Sequence, residues 1–277
     1  MTGDSSCLWV VATPIGNLDD ISARAVSVLR RVSAILCEDT RVSRVLLRHL
    51  GIERPLWALH EHNERARGAA LIALLKEGKE LALISDAGTP LISDPGYVLV
   101  AAARAEGITV RPIPGASALL CALSVSGLPT DRFSFEGFLP AQAKARLERM
   151  RAQSFATQTL LYFEAPHRLA EFLSDAQTAF GPERKAYIAR ELTKLHESHY
   201  SGGLQELAQR CANEPNMARG ELVIAIHGAP EAAIDHSEAE RVHRLLRAEL
   251  PPSQAAKLAA KITGLPRAHF YETSGKP

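Results

Sequence analysis

At least four times in the first half of this chain, a short apolar run breaks into a loop of glycine, proline and small polar residues, and a helical pattern follows. Such alternation argues for a mostly parallel sheet covered by helices, with ligand loops gathered along one edge. The stretch from Glu80 shows it most fully. Leu81-Ala82-Leu83-Ile84 reads as a strand, Ser85-Asp86-Ala87-Gly88-Thr89-Pro90 as the loop it delivers, and Ser93-Asp94-Pro95-Gly96 as a second turn before a helix from about Tyr97 to Ala105. Glycine lets a backbone approach a ligand. Asp, Ser and Thr offer polar partners at the carboxyl end of a strand, where open α/β sheets bind ligands. The plain alternative is an ordinary pair of turns, since Asp-Pro-Gly is common turn chemistry.

The same pattern precedes that stretch. Leu8-Trp9-Val10-Val11 reads as a buried strand ending in Ala12-Thr13-Pro14-Ile15-Gly16-Asn17-Leu18. Asp19 or Asp20 is placed to cap a helix whose Ile21, Ala25, Val28, Leu29 and Val32 share a face. Ala34–Cys37 is a short strand delivering Glu38-Asp39-Thr40-Arg41, and a helix bearing Val45, Leu46 and Leu50 stops at Gly51. Leu59-His60-Glu61-His62-Asn63 reads as a polar loop before a helix from about Glu64 to Lys76. His60 and His62 lack the further ligands a metal site needs. Ile108-Thr109-Val110 runs into a loop through Pro114-Gly115-Ala116-Ser117-Ala118, which opens a helix from Leu119 to Ser126. Amides at that helix start suit an oxygen-rich group, and Ser117 equally suits a plain cap.

The pattern stops at Gly127-Leu128-Pro129, and residues 131–141 read as a domain boundary and crossing linker. Beyond it come a charged helix at 143–151, a strand Thr159–Phe163, and Glu164-Ala165-Pro166-His167-Arg168 opening a helix with Leu169, Phe172, Leu173 and Ala176. Strands at Ala186–Arg190, around His199–Ser201 and at Glu221–Ile226, with a helix near Leu204–Asn213, suggest a mixed sheet. From His236 the chain turns helical. Glu238–Leu250 carries Val242, Leu245, Leu246 and Leu250, and Pro251-Pro252 stops it. Ser253 is placed to cap a helix to Thr263 that Gly264 ends. The expected domains are therefore 7–130, 131–235 and a helix-turn-helix-like tail, 236–277. In that tail Arg244, Arg247, Lys257, Lys261 and Arg267 either touch phosphates or are solvated charges on a docking hairpin.

The 277 residues give length for about two domains. Lys and Arg number 32 against 31 Asp and Glu, so a polyanionic partner must be met by local patches. Cys7, Cys37, Cys121 and Cys211 have neither metal nor disulfide spacing and read as reduced thiols. No apolar run approaches a membrane span and Met1–Ser6 lacks a basic leader, so a cytoplasmic protein is expected, with no membrane partner and no metal.

Several loops then occur together and in order: TPIGNL at 13–18, EDTR at 38–41, SDAGTPLISDPG at 85–96, PGASA at 114–118, GLPTDRF with EGFLP at 127–140, EAPHRL at 164–169, RELTK at 190–194, and SQAAKLAAKITGLPR at 253–267. This ordered set resembles the small-subunit ribosomal RNA (cytidine-2′-O)-methyltransferase family of the tetrapyrrole-methylase superfamily, over nearly the whole chain. One departure is PGASA, where some members carry proline and cysteine after the glycine. The resemblance implies an α/β chain with a parallel-sheet domain, a mixed-sheet domain and a C-terminal helical hairpin, usually a homodimer. It further implies that S-adenosylmethionine is held in a cleft by Pro14, Ser85, Asp86, Thr89, Ser117, Ala118 and Ala225, and that the partner is small-subunit ribosomal RNA or the assembled subunit.

Methyl transfer to a ribose hydroxyl needs the oxygen held in line with the methyl group, and a base or cation to help the oxygen attack. Glu164, His167, Glu191 and Lys194 are candidates because they follow expected strands, with capping, salt bridging or phosphate contact as their ordinary roles. Asp39 and Arg41 are candidate substrate positioners. RNA contact is expected from Arg41, Arg132, Arg168, Arg190, Lys257 and Lys261. Two rival functions are a small-molecule tetrapyrrole methyltransferase and a non-catalytic nucleic-acid-binding module. A serine hydrolase is disfavoured, because Gly115-Ala116-Ser117-Ala118-Leu119 lacks the second glycine of a nucleophile elbow.

Overall fold

The computed structural model describes residues 6–230, 236–263, 265, 267 and 269–272. Along the first half run β1 (Cys7–Val11), α1 (Ala23–Arg31), β2 (Ala34–Cys37), α2 (Thr40–His49), β3 (Leu56–Ala58), α3 (Glu61–Lys76), β4 (Glu80–Ile84), α4 (Tyr97–Ala105), β5 (Thr109–Ile113) and α5 (Ala118–Val125). The five strands pair in the order β3-β2-β4-β1-β5, all parallel. Such a sheet is covered on both faces, which is why β2 and β4 are near-continuous apolar runs. Alternation along β1 sends Trp9 and Val11 into a core with Val28 and Leu29 of α1, and Leu8 into one with Leu71, Leu75 and Leu99 of α3 and α4. β5 continues through Arg111 and Pro112, further than the sequence suggested; as an edge strand it tolerates proline.

Several starts differ from expectation. Ser22 caps α1, accepting from the Ala25 amide at 3.1 Å, while Asp19 and Asp20 lie in a short 3-10 turn capped by Asn17. Asp39 caps α2, whose buried face is Ser43, Leu46 and Leu47; Val45 is 63% exposed, so it does not belong to that face. β3 was not anticipated. α3 starts at Glu61 because the Asn63 side chain turns back to accept from the His60 amide at 3.0 Å. Buried Glu64 then accepts from the Leu99 amide at 2.8 Å, supplying from α3 a partner for the first turn of α4.

The second half contains β6 (Phe133–Phe138), α6 (Ala143–Ala152), β7 (Thr159–Glu164), α7 (Leu169–Phe180), β8 (Lys185–Arg190), β9 (Ser198–Gly203), α8 (Leu204–Asn213) and β10 (Leu222–Ile226). Their sheet runs β6-β7-β10-β8-β9, parallel at β6–β7 and antiparallel elsewhere, the mixed sheet expected. Phe133–Phe138, within the stretch read as a linker, is thus an edge strand, with a bulge beside Gly137. Arg146 of α6 is 1% exposed and pairs with Asp175 at 2.6 Å and Glu171 at 3.0 Å on α7.

The described residues divide into two compact units. One comprises those up to Ser154 with Gln158–His227; the other comprises Phe155–Thr157 with those from Gly228 on. The second contains α9 (His236–Glu249), α10 (Pro252–Thr263) and α11 (His269–Glu272), packed through Ala239, Ala256, Ala259, Leu265 and Phe270. Pro252, not Ser253, opens α10, and the Ser253 hydroxyl accepts from Arg267 at 3.0 Å. The expected stop at Gly264 lies outside the described residues. Leu245 is exposed rather than buried with Leu246. Among the described residues no helix is long and apolar enough to cross a membrane, and no cluster of His, Cys, Asp or Glu is placed to hold a metal ion.

Candidate active site

Neighbouring strands β4, β1 and β5 end side by side, so their loops meet. Thr13 and Gly88 exchange backbone bonds of 2.8 and 3.1 Å, joining the first two loops; buried Thr13 also donates its hydroxyl to Ser85 O at 3.2 Å. The Thr89 hydroxyl donates to Ala116 O at 3.0 Å, joining the third. Gly115 passes so close to Ala12 that a Cβ would sit 2.9 Å from the alanine methyl. α5 then packs on the second sheet, where Leu119, Ala122 and Leu123 share a core with Ile15, Leu161, Tyr187, Leu192 and Val223. The second lobe reaches back through the loop after β8. Asn17 N donates to Thr193 Oγ1 at 3.1 Å, and Gly16 lies where a Cβ would come 2.8 Å from Leu192 O.

Between these walls is a cavity of about 400 Å³, within the usual size for a small-molecule site. From the first sheet's loops it is lined by Ile15, Gly88, Thr89, Asp94, Ser117 and Ala118; from the second by Phe138, Phe163, Glu164, Pro166, Leu222 and Val223. Thr89, Ser117, Ala118 and Glu164, all singled out from sequence, are therefore brought together. Ser117 sits at the N-cap of α5 without a side-chain cap bond. Pro14, Ser85 and Asp86 instead line a smaller adjoining hollow with Leu18, Val42 and Val45. Ala225 is fully buried in the core of the second sheet, outside the cavity lining. Ile15, Asp94, Phe163 and Val223 were not anticipated as lining. Val223 was accessible to reasoning: it lies two residues before Ala225, on the same face of β10.

Glu164 is the most constrained polar group there. Its Oε1 accepts from the Ala165 amide at 2.8 Å and lies 3.2 Å from Arg168 Nε in an ion pair too misaligned for a hydrogen bond; its buried Oε2 has no partner. Burial raises its pKa, against the Ala165 amide and the charges of Arg168, Arg146 and His167. Arg168 is itself committed, donating to Leu139 O and Pro140 O at 2.8 and 3.0 Å, and His167 is exposed. Glu191 and Lys194 form an ion pair of 2.8 Å, with Glu221 at 3.1 Å from the same ammonium. For both, burial opposes the charged form and is overcome: Lys194 and the Glu221 amide hold the Glu191 pKa below its ordinary value, and Glu191 and Glu221 raise that of Lys194. Arg190 spans its loops by donating to Arg219 O and His196 O.

On the opposite rim the Asp39 amide donates to Asp86 Oδ1 at 3.1 Å. Burial raises the Asp86 pKa, opposed by that amide. Arg41 pairs with Asp39 at 2.6 Å, and its hydrogen bonds lower the aspartate to about 2. Arg132 is exposed; Lys257 and Lys261 are exposed on α10.

Residues 7–208 match the family described as Tetrapyrrole (Corrin/Porphyrin) Methylases. This chain belongs to that family. Residues 233–273 match the family described as RsmI C-terminal HTH domain. Among curated relatives, "Ribosomal RNA small subunit methyltransferase I" of Xylella fastidiosa is 55% identical, covering 95% of this chain and 97% of its own. The proteins of that name from Pseudomonas aeruginosa (54% identical, 96% and 95% covered) and Escherichia coli O157:H7 (45%, 96% and 93%) align over nearly the same length, and this chain belongs with them. The solved methyltransferase CobJ shares the fold at TM-score 0.60 and 19% identity, over 81% of this chain and 95% of that one. Diphthine synthase shares it at 0.59 and 14%, over 80% and 89%.

Proposed function

We propose that this chain transfers a methyl group from S-adenosylmethionine to the ribose 2′-hydroxyl of a cytidine in small-subunit ribosomal RNA. The observation that carries the reading is similarity running the full length of the chain, helical tail included, to relatives named for that RNA. The cavity fits such a donor: apolar Ile15, Phe163, Leu222 and Val223 suit an adenine face, and the partnerless Glu164 Oε2 requires an N–H or O–H donor, which the amino acid and nucleoside parts both carry. When bound, S-adenosylmethionine supplies an electrophilic methyl group on a sulfonium.

The chain's own part is to bind, orient and exclude water. Thr89, Ser117, Ala118 and Glu164 are proposed to hold the donor, with Pro14, Ser85 and Asp86 shaping the adjoining hollow and Ala225 backing the wall from within the core. Lys194, kept protonated between Glu191 and Glu221, serves as a fixed cation, and His167 lies outside the cavity lining beside Pro166. For RNA, Arg41, Arg132, Lys257 and Lys261 offer exposed cations, while Arg168 and Arg190 act through the loops they brace. The division into 7–130, 131–235 and 236–277, a homodimeric assembly, a cytoplasmic site of action, and either free RNA or the assembled subunit as substrate belong to the same proposal. Digestion and mass mapping of small-subunit RNA from a deletion strain tests it. One cytidine should lack its ribose methyl and regain it when the chain is restored; an unchanged methylation map would refute the reading.

A further inference from the structure

The loop after β4 is held in an unusual shape at the cavity wall. Leu91 and Ser93 have φ of 74° and 64°, a region that side-chain-bearing residues rarely occupy, and Gly96 has φ of 122° with Leu83 Cδ2 2.5 Å from where a Cβ would lie. Between Ser93 and Gly96 this shape places Asp94 in the cavity lining, in the same wall as Thr89 and facing the lobe that carries Glu164.

Asp94 is half-buried, with Glu38 from the end of β2 and Asp86 from its own loop as the charged groups acting on it; the Ser85 hydroxyl, which donates to Gly88 O at 3.1 Å, is the polar neighbour that opposes them. Glu164 and Glu221 line the cavity from the second sheet. Burial first, then the charge of Glu38, pushes the Asp94 carboxyl up to about 6, with Asp86 adding and Ser85 opposing. A carboxylate titrating near the working pH is suited to taking a proton. Of the sequence-derived candidates, Lys194 is protonated in its ion pair, Glu191 accepts from Lys194 and from the Glu221 amide, His167 lies outside the cavity lining, and Glu164 is the group proposed above to hold the donor.

We infer that Asp94 is the general base that removes the proton from the ribose hydroxyl. The inference rests on the reading of ribose methylation above. As the hydroxyl oxygen uses a lone pair to bond the methyl carbon, the C–S bonding pair stays on sulfur, converting the sulfonium to a neutral thioether. The O–H proton passes to the Asp94 carboxylate, which returns it to solvent.

Single-turnover methyl transfer to small ribosomal subunits from a deletion strain tests the assignment. The wild-type rate should rise with pH to a plateau, with an apparent pKa near 6. Asp94→Asn should lower the plateau by about 10²–10⁴-fold and abolish the rise, with calorimetric affinity for S-adenosylmethionine unchanged, while Asp94→Glu keeps the rise. Glu164→Gln should weaken donor affinity and keep the rise. Independently of turnover, carboxyl carbon NMR should find one aspartate titrating near 6, missing in Asp94→Asn and moved downward in Glu38→Gln. An Asp94→Asn enzyme that keeps its acid limb, loses donor affinity in step with rate, or leaves the titration in place would overturn the assignment. A wild-type protein that methylates no RNA would remove the functional reading, and the inference with it, whatever the titration shows.

Discussion

Two positions carry consequences out of proportion to their size. Gly16 lies against the loop after β8 with no space for a methyl group: a Cβ would come 2.5 Å from Lys194 Cγ, which can move, but also 2.8 Å from the Leu192 carbonyl, which cannot without shifting backbone. Gly16→Ala is therefore expected to destabilise by about 1–3 kcal/mol, read as a lower denaturant midpoint. Asp94 acts with the opposite sign. Its carboxyl stands at about 6 in the folded chain against an ordinary 3.8, so its favourable contribution is complete below about pH 3.8 and lost as pH rises through about 6. Asp94→Asn should then be more stable than wild type at pH 8 by roughly 1–2 kcal/mol, discounted for the solvent that reaches a half-buried group, with the gap closing near pH 4. Thermal melts at the two pH values measure it; a gap that does not change with pH would contradict the burial argument.

At the scale of elements, α6 and α7 are tied by one buried guanidinium shared between Asp175 and Glu171. Removing the cation leaves Asp175, mostly buried, without its countercharge. Arg146→Ala should cost about 2–4 kcal/mol by chemical denaturation, and Arg146→Lys should recover only part, since an ammonium lacks the fork that reaches both carboxylates. Elements were legible in the sequence where their apolar period was long or punctuated: α4 and α8 fall where spacing and glycines put them. What escaped depended on partners distant in the chain. β3 is three half-buried residues that become a strand only beside β2. The N-cap position of Ser117 is visible locally, whereas its lack of a cap bond and its place in the cavity wall are not. Asp94 lay in a turn the sequence marks plainly, but its environment depends on Glu38, 56 residues earlier, across a crossover no periodicity encodes.

For the whole molecule, a near-neutral net charge means that affinity for RNA rests on placed cations. Lys257 and Lys261, one turn apart and exposed on α10, belong to the part matching a helix-turn-helix family. If each neutralises a phosphate, Lys257→Ala with Lys261→Ala should flatten the dependence of log affinity on log salt by about 1.4, at unchanged affinity for S-adenosylmethionine. Filter binding across a salt series measures the slope, and an unaltered slope would place the RNA elsewhere. The bond from Asn17 to Thr193 and the absence of a side chain at Gly16 fasten the two sheets' loops together along one margin of the cavity. In the part of the cavity's lining that comes from the second sheet, Phe138 of the edge strand β6 stands 57% exposed. If the proposed polynucleotide substrate reaches the cavity past that ring, an outsized side chain there should block it while letting the smaller methyl donor through.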